Sequence, residues 1–483
     1  MNIASRSTGG AAFAQLWPMP RISLCIIARN EAAMIGDCIA SAAGAVDEVI
    51  VVDTESEDGT ADVARSAGAR VARFEWRGDF AAARNASLAL ARGDWVLVLD
   101  ADERLAPGAA PAIRVAVGSA TAPAGLLRLH DASRLDATAA EVLSGAARMG
   151  EPTQLPRLFR RTPDLAFEGV VHENVNSWLA RHGRRAMRVD ADIVHLGEVP
   201  DLRRARGKHE RNVTLLRRRW QEDPLDLSAA GYLAQELFAS GEHSDARRVV
   251  EEAWQRRTAG TGSNTHRLAV ARALLARQAR DPDAMLETIA DEEQRNGSHP
   301  ELAFLRGCAL EEKGAAERPG SPGRMARLAE AERAYRDALA APPRSLFDSI
   351  YGARSWLSQT RLGTVLLLLG RPLEAAGVFT VALASRPGHR EAELGLAEAD
   401  LTRGEPLAAL RRLEPMLGKV RDAWWLAACA AEAVGSAADA SLLLSRALSD
   451  GSAFAAWHVA EAVAAAGSRP SAIAQQAGRT HRP

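Results

Sequence analysis

No stretch of this 483-residue chain stays apolar for the roughly 18 residues that a membrane-spanning helix needs, so no spanning segment is expected. Cysteine is scarce. Cys25, Cys38, Cys308 and Cys429 show neither a close pair nor ligand-like spacing, which argues against a disulfide framework and leaves reduced, buried thiols. An excess of either charge is missing too: 60 Lys and Arg stand against 61 Asp and Glu, a net of -1. That balance gives no global electrostatic case for nucleic acid or a membrane surface as the main partner. The first twenty residues lack a basic start and a sustained apolar segment, so they are read as a flexible arm (1–20) rather than a secretory signal, and a cytoplasmic protein is expected. No Gly-x-Gly-x-x-Gly follows the first apolar strand, and no Gly-Lys-Ser/Thr loop occurs in the first half. Dinucleotide oxidoreductases and phosphate-loop NTPases are thereby disfavoured, as is a sugar nucleotidyltransferase with its Gly-rich phosphate cradle.

What is present begins with length. A chain of this size exceeds one hydrophobic core, so two or more domains are expected. Asp94-Trp95-Val96-Leu97-Val98-Leu99-Asp100-Ala101-Asp102-Glu103 is an apolar run that stops abruptly at clustered acids, the pattern of a buried parallel strand delivering carboxylates to a sheet edge. Two carboxylates one residue apart can hold a hard divalent cation, and through it a diphosphate; two solvated acids in a turn are the plain alternative. Upstream, Ile22 to Ile27 is a strand ending in Ala28-Arg29-Asn30-Glu31, and Val49 to Val52 is a second ending at Asp53. Arg70 to Phe74 gives a third strand, Phe80 to Leu90 an Ala-rich helix and Trp95 to Leu99 a fourth strand. Strands alternating with helices over short links predict parallel βαβ units with right-handed crossovers, which send Asn30, Asp53, Asp100 and Asp102 to one edge.

Four ordered motifs, Ile22 to Glu31, Asp47 to Thr54, Asp79-Phe80-Ala81-Ala82-Ala83-Arg84-Asn85 and Gly93 to Asp102, resemble the family-two glycosyltransferases of GT-A fold. Within them, the chain most resembles the bacterial branch that carries helical repeats after the catalytic domain. The resemblance covers residues 21 to about 215. It implies an inverting transfer from a nucleotide-diphosphate sugar, a UDP-sugar by expectation, with Mn²⁺ or Mg²⁺ as cofactor. By the same resemblance Ala28, Arg29, Asn30, Glu31 and Asp53 hold the nucleoside, Asp79, Arg84 and Asn85 lie on the donor side with Arg84 and Asn85 lining the diphosphate, and Asp100-Ala101-Asp102 is the metal-binding motif. A surface cation is the plain reading of Arg84.

Such a reaction needs a base for the acceptor's proton. The segment Leu158 to Glu173 also resembles the repeat-bearing branch and supplies Glu173 and Glu168 as candidates, while His172 is a candidate ligand to the metal or diphosphate. Adjacent residues on an extended chain point oppositely, so His172 and Glu173 face one pocket only if the chain bends. His195 is read as a hydrogen-bonded structural histidine rather than a ligand. Residues 104 to 150 receive no assignment beyond acceptor specificity.

The expected domains are a catalytic unit over 21–200, a basic connecting helix over 201–222, read as solvated with a patch for an anionic acceptor or membrane surface as the alternative, a tetratricopeptide-like array over 223–470 and a flexible tail over 471–483. In the array Gly241, Gly370, Gly404 and Gly435 each precede an alanine by five positions, and Gly370 and Gly404 are 34 apart, the tetratricopeptide period. Pro319-Gly320-Ser321-Pro322-Gly323 is read as a flexible insertion. Trp424, Trp425 and Trp457 are read as packing residues. A saccharide, lipid-linked or peptide acceptor, and a protein partner or a second copy on the repeats, are the partners expected. The competing reading is an interaction scaffold whose sugar-nucleotide domain is inactive.

Overall fold

The computed structural model describes residues 19–149, 152–183, 185–205, 207–257, 265–341, 350 and 352–449. The arm before Met19, the tail and Trp457 therefore lie outside the described residues. The chain divides into two compact units, 1–208 and 209–483.

In the first unit β1 (Ile22–Ala28), α1 (Ile35–Ser41), β2 (Glu48–Asp53), α2 (Thr60–Ser66), β3 (Arg70–Arg73), α3 (Phe80–Leu90) and β4 (Trp95–Asp100) follow one another as the alternation predicts. The strands β3, β2, β1 and β4 are adjacent in that order and parallel. Apart from Ser23 and the terminal Asp100, β1 and β4 are apolar because both faces are covered, and Ile22, Leu24, Ile26, Leu97 and Leu99 are fully buried. The previously unassigned region supplies β5 (Glu103–Leu105), α4 (Ala109–Gly118), β6 (Ala124–Asp131) and α5 (Ala139–Ser144). β7 (Thr153–Arg160), α6 (Asn176–Arg181), β8 (Ala186–His195) and the short α7 (Pro200–Ala205) complete it. β7 is antiparallel to β4, so the eight-stranded sheet is mixed, in the order β3-β2-β1-β4-β7-β6-β8-β5. The register sets Ala28 against Asp53 and Ile27 against Asp100, so the ends of β2, β1 and β4 share one edge.

The basic stretch continues as α8 (Lys208–Glu222). It is not solvated throughout: Asn212, Leu215, Leu216 and Trp220 are buried, and Asn212 donates to Glu236 at 2.9 Å. The second unit then runs in helix pairs. α9 (Leu227–Ala239) with α10 (His243–Gln255), α11 (His266–Gln278) with α12 (Pro282–Asn296), and α13 (Pro300–Ala315) with α14 (Pro322–Ala340) form the first three. α15 (Trp356–Leu368) with α16 (Pro372–Ser385), α17 (Arg390–Thr402) with α18 (Pro406–Leu413), and α19 (Arg421–Ala433) with α20 (Ala437–Ser449) follow. Gly241, Gly370, Gly404 and Gly435 have φ between 73° and 84°, the left-handed helix end that glycine takes most readily. Their partner alanines, Ala246, Ala375, Ala409 and Ala440, are buried where paired helices meet.

One expectation is corrected. Pro319–Gly323 is no flexible insertion: Ser321 caps the Arg324 amide at 3.2 Å and Pro322 opens α14, so the stretch is a helix start. Trp425 is buried, and the four cysteines are free and buried. Among the described residues no helix is long and apolar enough to cross a membrane.

Candidate active site

Two loops close the edge above β1 and β2. Asn30, in left-handed conformation at φ 56°, accepts from the Glu57 amide at 2.9 Å, while its own amide donates to Ser56 Oγ at 3.0 Å. The Glu31 amide donates to Thr60 Oγ1 at 2.7 Å and the Ala32 amide to Asp58 at 3.0 Å. Asp53 sits at this junction, 7% exposed. One oxygen accepts a long bond from the Ser56 amide, and the other, Oδ1, is buried with no protein partner. A buried acceptor left unpaired is costly unless a ligand satisfies it. Ala28 is buried beside it, and Arg29 is exposed at the rim.

At the end of β4 the acids part company. Asp100 faces two guanidiniums: Arg84 on Oδ1 and Arg157 on Oδ2 at 3.1 Å. Burial opposes its charge, but the Arg84 and Arg157 charges outweigh it and hold the carboxyl well below the usual carboxylate range. Glu103, 1% exposed, accepts from the Asp100 amide at 3.0 Å and from Arg157. Burial pushes Glu103 up to about 7 against the pull of Arg157. Arg84 is itself 3% exposed and donates through Nε to Glu173 at 3.1 Å. Glu173, Arg84, Asp100, Arg157 and Glu103 thus form a chain of alternating charge.

Asp102, 7% exposed, turns elsewhere. Its Oδ1 lies 3.6 Å from His195 Nε2 and its Oδ2 lies 3.9 Å from Lys208 Nζ. His195 Nδ1 is 2.7 Å from Asp131 Oδ1. Burial works against an imidazolium there, yet Asp131 and Asp102 raise His195 to about 9. Lys208 also donates to the Gly197 carbonyl at 2.9 Å.

The trio expected to hold a cation, Asp100, Asp102 and His172, does not converge: among the described residues their donor atoms form no group within 4.8 Å. Asp100 is drawn off by its two arginines, while Asp102 Oδ1 faces His195 Nε2, and His195 is hydrogen-bonded to Asp131 as the reading of a hydrogen-bonded histidine expects. The chain does bend at His172, with φ 53°. Arg84 and Asn85, expected beside the diphosphate, are turned to protein groups. Asn85 clamps the Phe167 backbone, accepting from its amide at 2.8 Å and donating to its carbonyl at 2.9 Å. Asp79 caps α3 through the Ala82 amide at 2.9 Å. Glu168 is exposed and accepts from Ser177 at 2.6 Å, and Ala101 is buried between the two acids. Arg157 and Asp131 went unnoticed in the sequence because their partners Asp100 and His195 lie 57 and 64 residues along the chain, and Glu103, Gly197 and Lys208 had received no role of their own.

The ends of β2, β1 and β4 thus bring a buried aspartate with one unpartnered oxygen and a strand-end acid motif to one sheet edge. Residues 23–114 match the model of glycosyl transferase family 2. A TPR repeat-containing protein of Synechococcus elongatus is 36% identical over 254 residues, 50% of this chain and 57% of its own length. An uncharacterized glycosyltransferase of Rickettsia felis is 45% identical over 87 residues, 18% of this chain and 30% of its own length. This chain spans less than two thirds of each of these relatives. A solved structure of glucosyl-3-phosphoglycerate synthase from Mycobacterium tuberculosis, in complex with Mn²⁺, uridine diphosphate and phosphoglyceric acid, is 29% identical over 24% of this chain and 44% of its own, with a TM-score of 0.20. Residues 23–114 are thus similar to glycosyl transferase family 2, and helix pairs follow in the second unit.

Proposed function

We propose that this protein transfers a sugar, with inversion, from a nucleotide-diphosphate donor, a UDP-sugar, to a hydroxyl or thiol acceptor on a saccharide, lipid-linked or peptide substrate. The observation that carries the reading is Asp53 Oδ1, a buried acceptor with no protein partner at the sheet edge that also presents Asp100 and Asp102. Asp53 accepts from the nucleoside, and the interlocked 29–31 and 54–60 loops form its wall.

A divalent cation would have Asp102 and His195 as its donors, with Lys208 Nζ 3.9 Å from the other Asp102 oxygen. Asp102 and His195 offer an oxygen and a nitrogen that face each other, a mixed pair suited to Mn²⁺ better than to Mg²⁺, which demands near-ideal oxygen octahedra. When bound, the cation stabilises charge developing on the leaving diphosphate. Glu173 takes the acceptor's proton, its carboxylate oriented by Arg84. Asp100 is fixed by Arg84 and Arg157 and shapes the edge beside the cation pair.

Calorimetry of the chain with UDP, with and without Mn²⁺, tests this. UDP is expected to bind, more tightly with Mn²⁺, and Asp53→Asn to weaken it by about tenfold, the scale of one mispaired buried polar group. No UDP binding under either condition would remove the transferase reading.

A further inference from the structure

The strands β6 and β8 run parallel and end side by side, with Asp131 directly opposite His195 in the register. On its other flank β8 pairs with β5, which sets Glu103 against His195. The backbone around His195 is tied on both sides: the Ala132 amide donates to the His195 carbonyl at 2.8 Å, and the Leu196 amide donates to the Asp102 carbonyl at 3.0 Å. The ring, 13% exposed, therefore has little freedom to leave the space between Asp131 and Asp102.

Each ring nitrogen meets a different situation. Nδ1 is at hydrogen-bond distance from Asp131, 2.7 Å, whereas Nε2 stands 3.6 Å from Asp102, beyond a normal hydrogen bond. Gly197 borders that wider gap. A Cβ at this position would lie 2.6 Å from His195 Nε2 and would collide with Asp102 Oδ2. Gly197 is absent from the left-handed glycines, so the backbone does not require glycine there. What glycine supplies is room beside Asp102 and Nε2. A neighbouring pair on the same strands shows the contrast: His130 has Asp192 at 2.7 Å on one nitrogen and Arg148 at 3.4 Å on the other, which closes both.

We propose that Asp131 is a positioning residue for the cation site: it takes the Nδ1 proton of His195 in a hydrogen bond and so presents Nε2, with Asp102, to a divalent cation. Histidine ligands are commonly fixed in this manner, a carboxylate on the far nitrogen setting both tautomer and ring orientation, and loss of that partner typically lowers metal affinity about 10- to 100-fold. The inference rests on the cation reading above and adds a residue that touches neither cation nor nucleotide.

The test is Mn²⁺ affinity, measured on the full chain at saturating UDP by the electron paramagnetic resonance signal of free Mn²⁺. Asp131→Asn, nearly isosteric, is expected to weaken Mn²⁺ binding about 10- to 100-fold while leaving metal-free UDP affinity and the melting midpoint close to wild type. Asp131→Glu, which keeps the carboxylate, is expected to recover part of the loss; a purely structural role would move the melting midpoint and metal-free UDP affinity in both variants. Wild-type Mn²⁺ affinity in Asp131→Asn, alongside loss in His195→Ala, would overturn the role of Asp131 and leave the cation reading standing. UDP binding by the wild-type chain with no Mn²⁺ binding would overturn the cation reading and this inference together.

Discussion

Arg84 stands between two acids brought together from distant parts of the first unit, Asp100 at the end of β4 and Glu173 in the segment before α6. Its burial leaves the guanidinium no solvent to fall back on, so both carboxylates are held by one cation. This bears on the base. In Glu173→Gln the side-chain oxygen still accepts from Arg84 Nε, so the fold and UDP binding should survive while transfer falls about 10²- to 10⁴-fold, the usual worth of a positioned base. Product formation by mass spectrometry, beside UDP calorimetry, reads both quantities, and full turnover by the variant would hand the role to Glu168. Residue identities at strand ends were legible because apolar runs stop at acids, which is how Asp53, Asp100 and Asp102 were found. The direction each side chain takes was not. His195 follows the buried Ile193 and Val194 at the end of its strand, and that Asp131, 64 residues away, meets its ring could not be read from the sequence. Lys208 was hidden in a basic run that reads as solvent-facing.

At the scale of elements, β1 to β4 were readable because continuous apolar runs and helical spacing alternate cleanly. The region between β4 and β7 was not, although it held one local signal: Thr138 and Glu141 form a capping box that starts α5. In the repeats the glycine signal failed where another residue takes its place. Arg280, at φ 55°, occupies the left-handed turn between α11 and α12, so a search for glycine passes over that pair. Phe379 of α16 shows how the pairs lock. A Cβ on Gly363 of α15 would lie 2.6 Å from the Phe379 ring, and one on Gly395 of α17 would also collide with it. Gly363→Ala should therefore lower stability by about 1–3 kcal/mol through overpacking. Gly377→Ala, an exposed helical site with open space around the added methyl, should be neutral or stabilising by up to about 1 kcal/mol. Urea midpoints of the two variants decide the matter, and an equal gain at both positions would mean that helix propensity rather than the ring governs.

On the scale of the molecule both units set buried acids beside arginines, Glu103 with Arg157 in the first and Asp400 with Arg412 in the second. The second also buries Glu398 of α17 at 4% exposure with Oε1 lacking a partner, and burial raises its carboxyl to about 8. Unfolded, that group releases its proton near the ordinary glutamate value of about 4.3. Between those values the folded array holds a proton that the unfolded chain does not, so stability is full below the lower value and declines as pH rises through the upper one. Glu398→Gln should flatten this decline in denaturation series from pH 4.5 to 8.5, and an unchanged slope would assign the pH dependence to other groups.

The arginine shared by Asp100 and Glu173 has an evolutionary corollary. On the proposed transfer, a lineage drifting toward a new acceptor by altering the surroundings of Glu173 would disturb, through the same guanidinium, the placement of Asp100 at the sheet edge. An engineer reshaping that surrounding should leave position 84 alone and work from the rim.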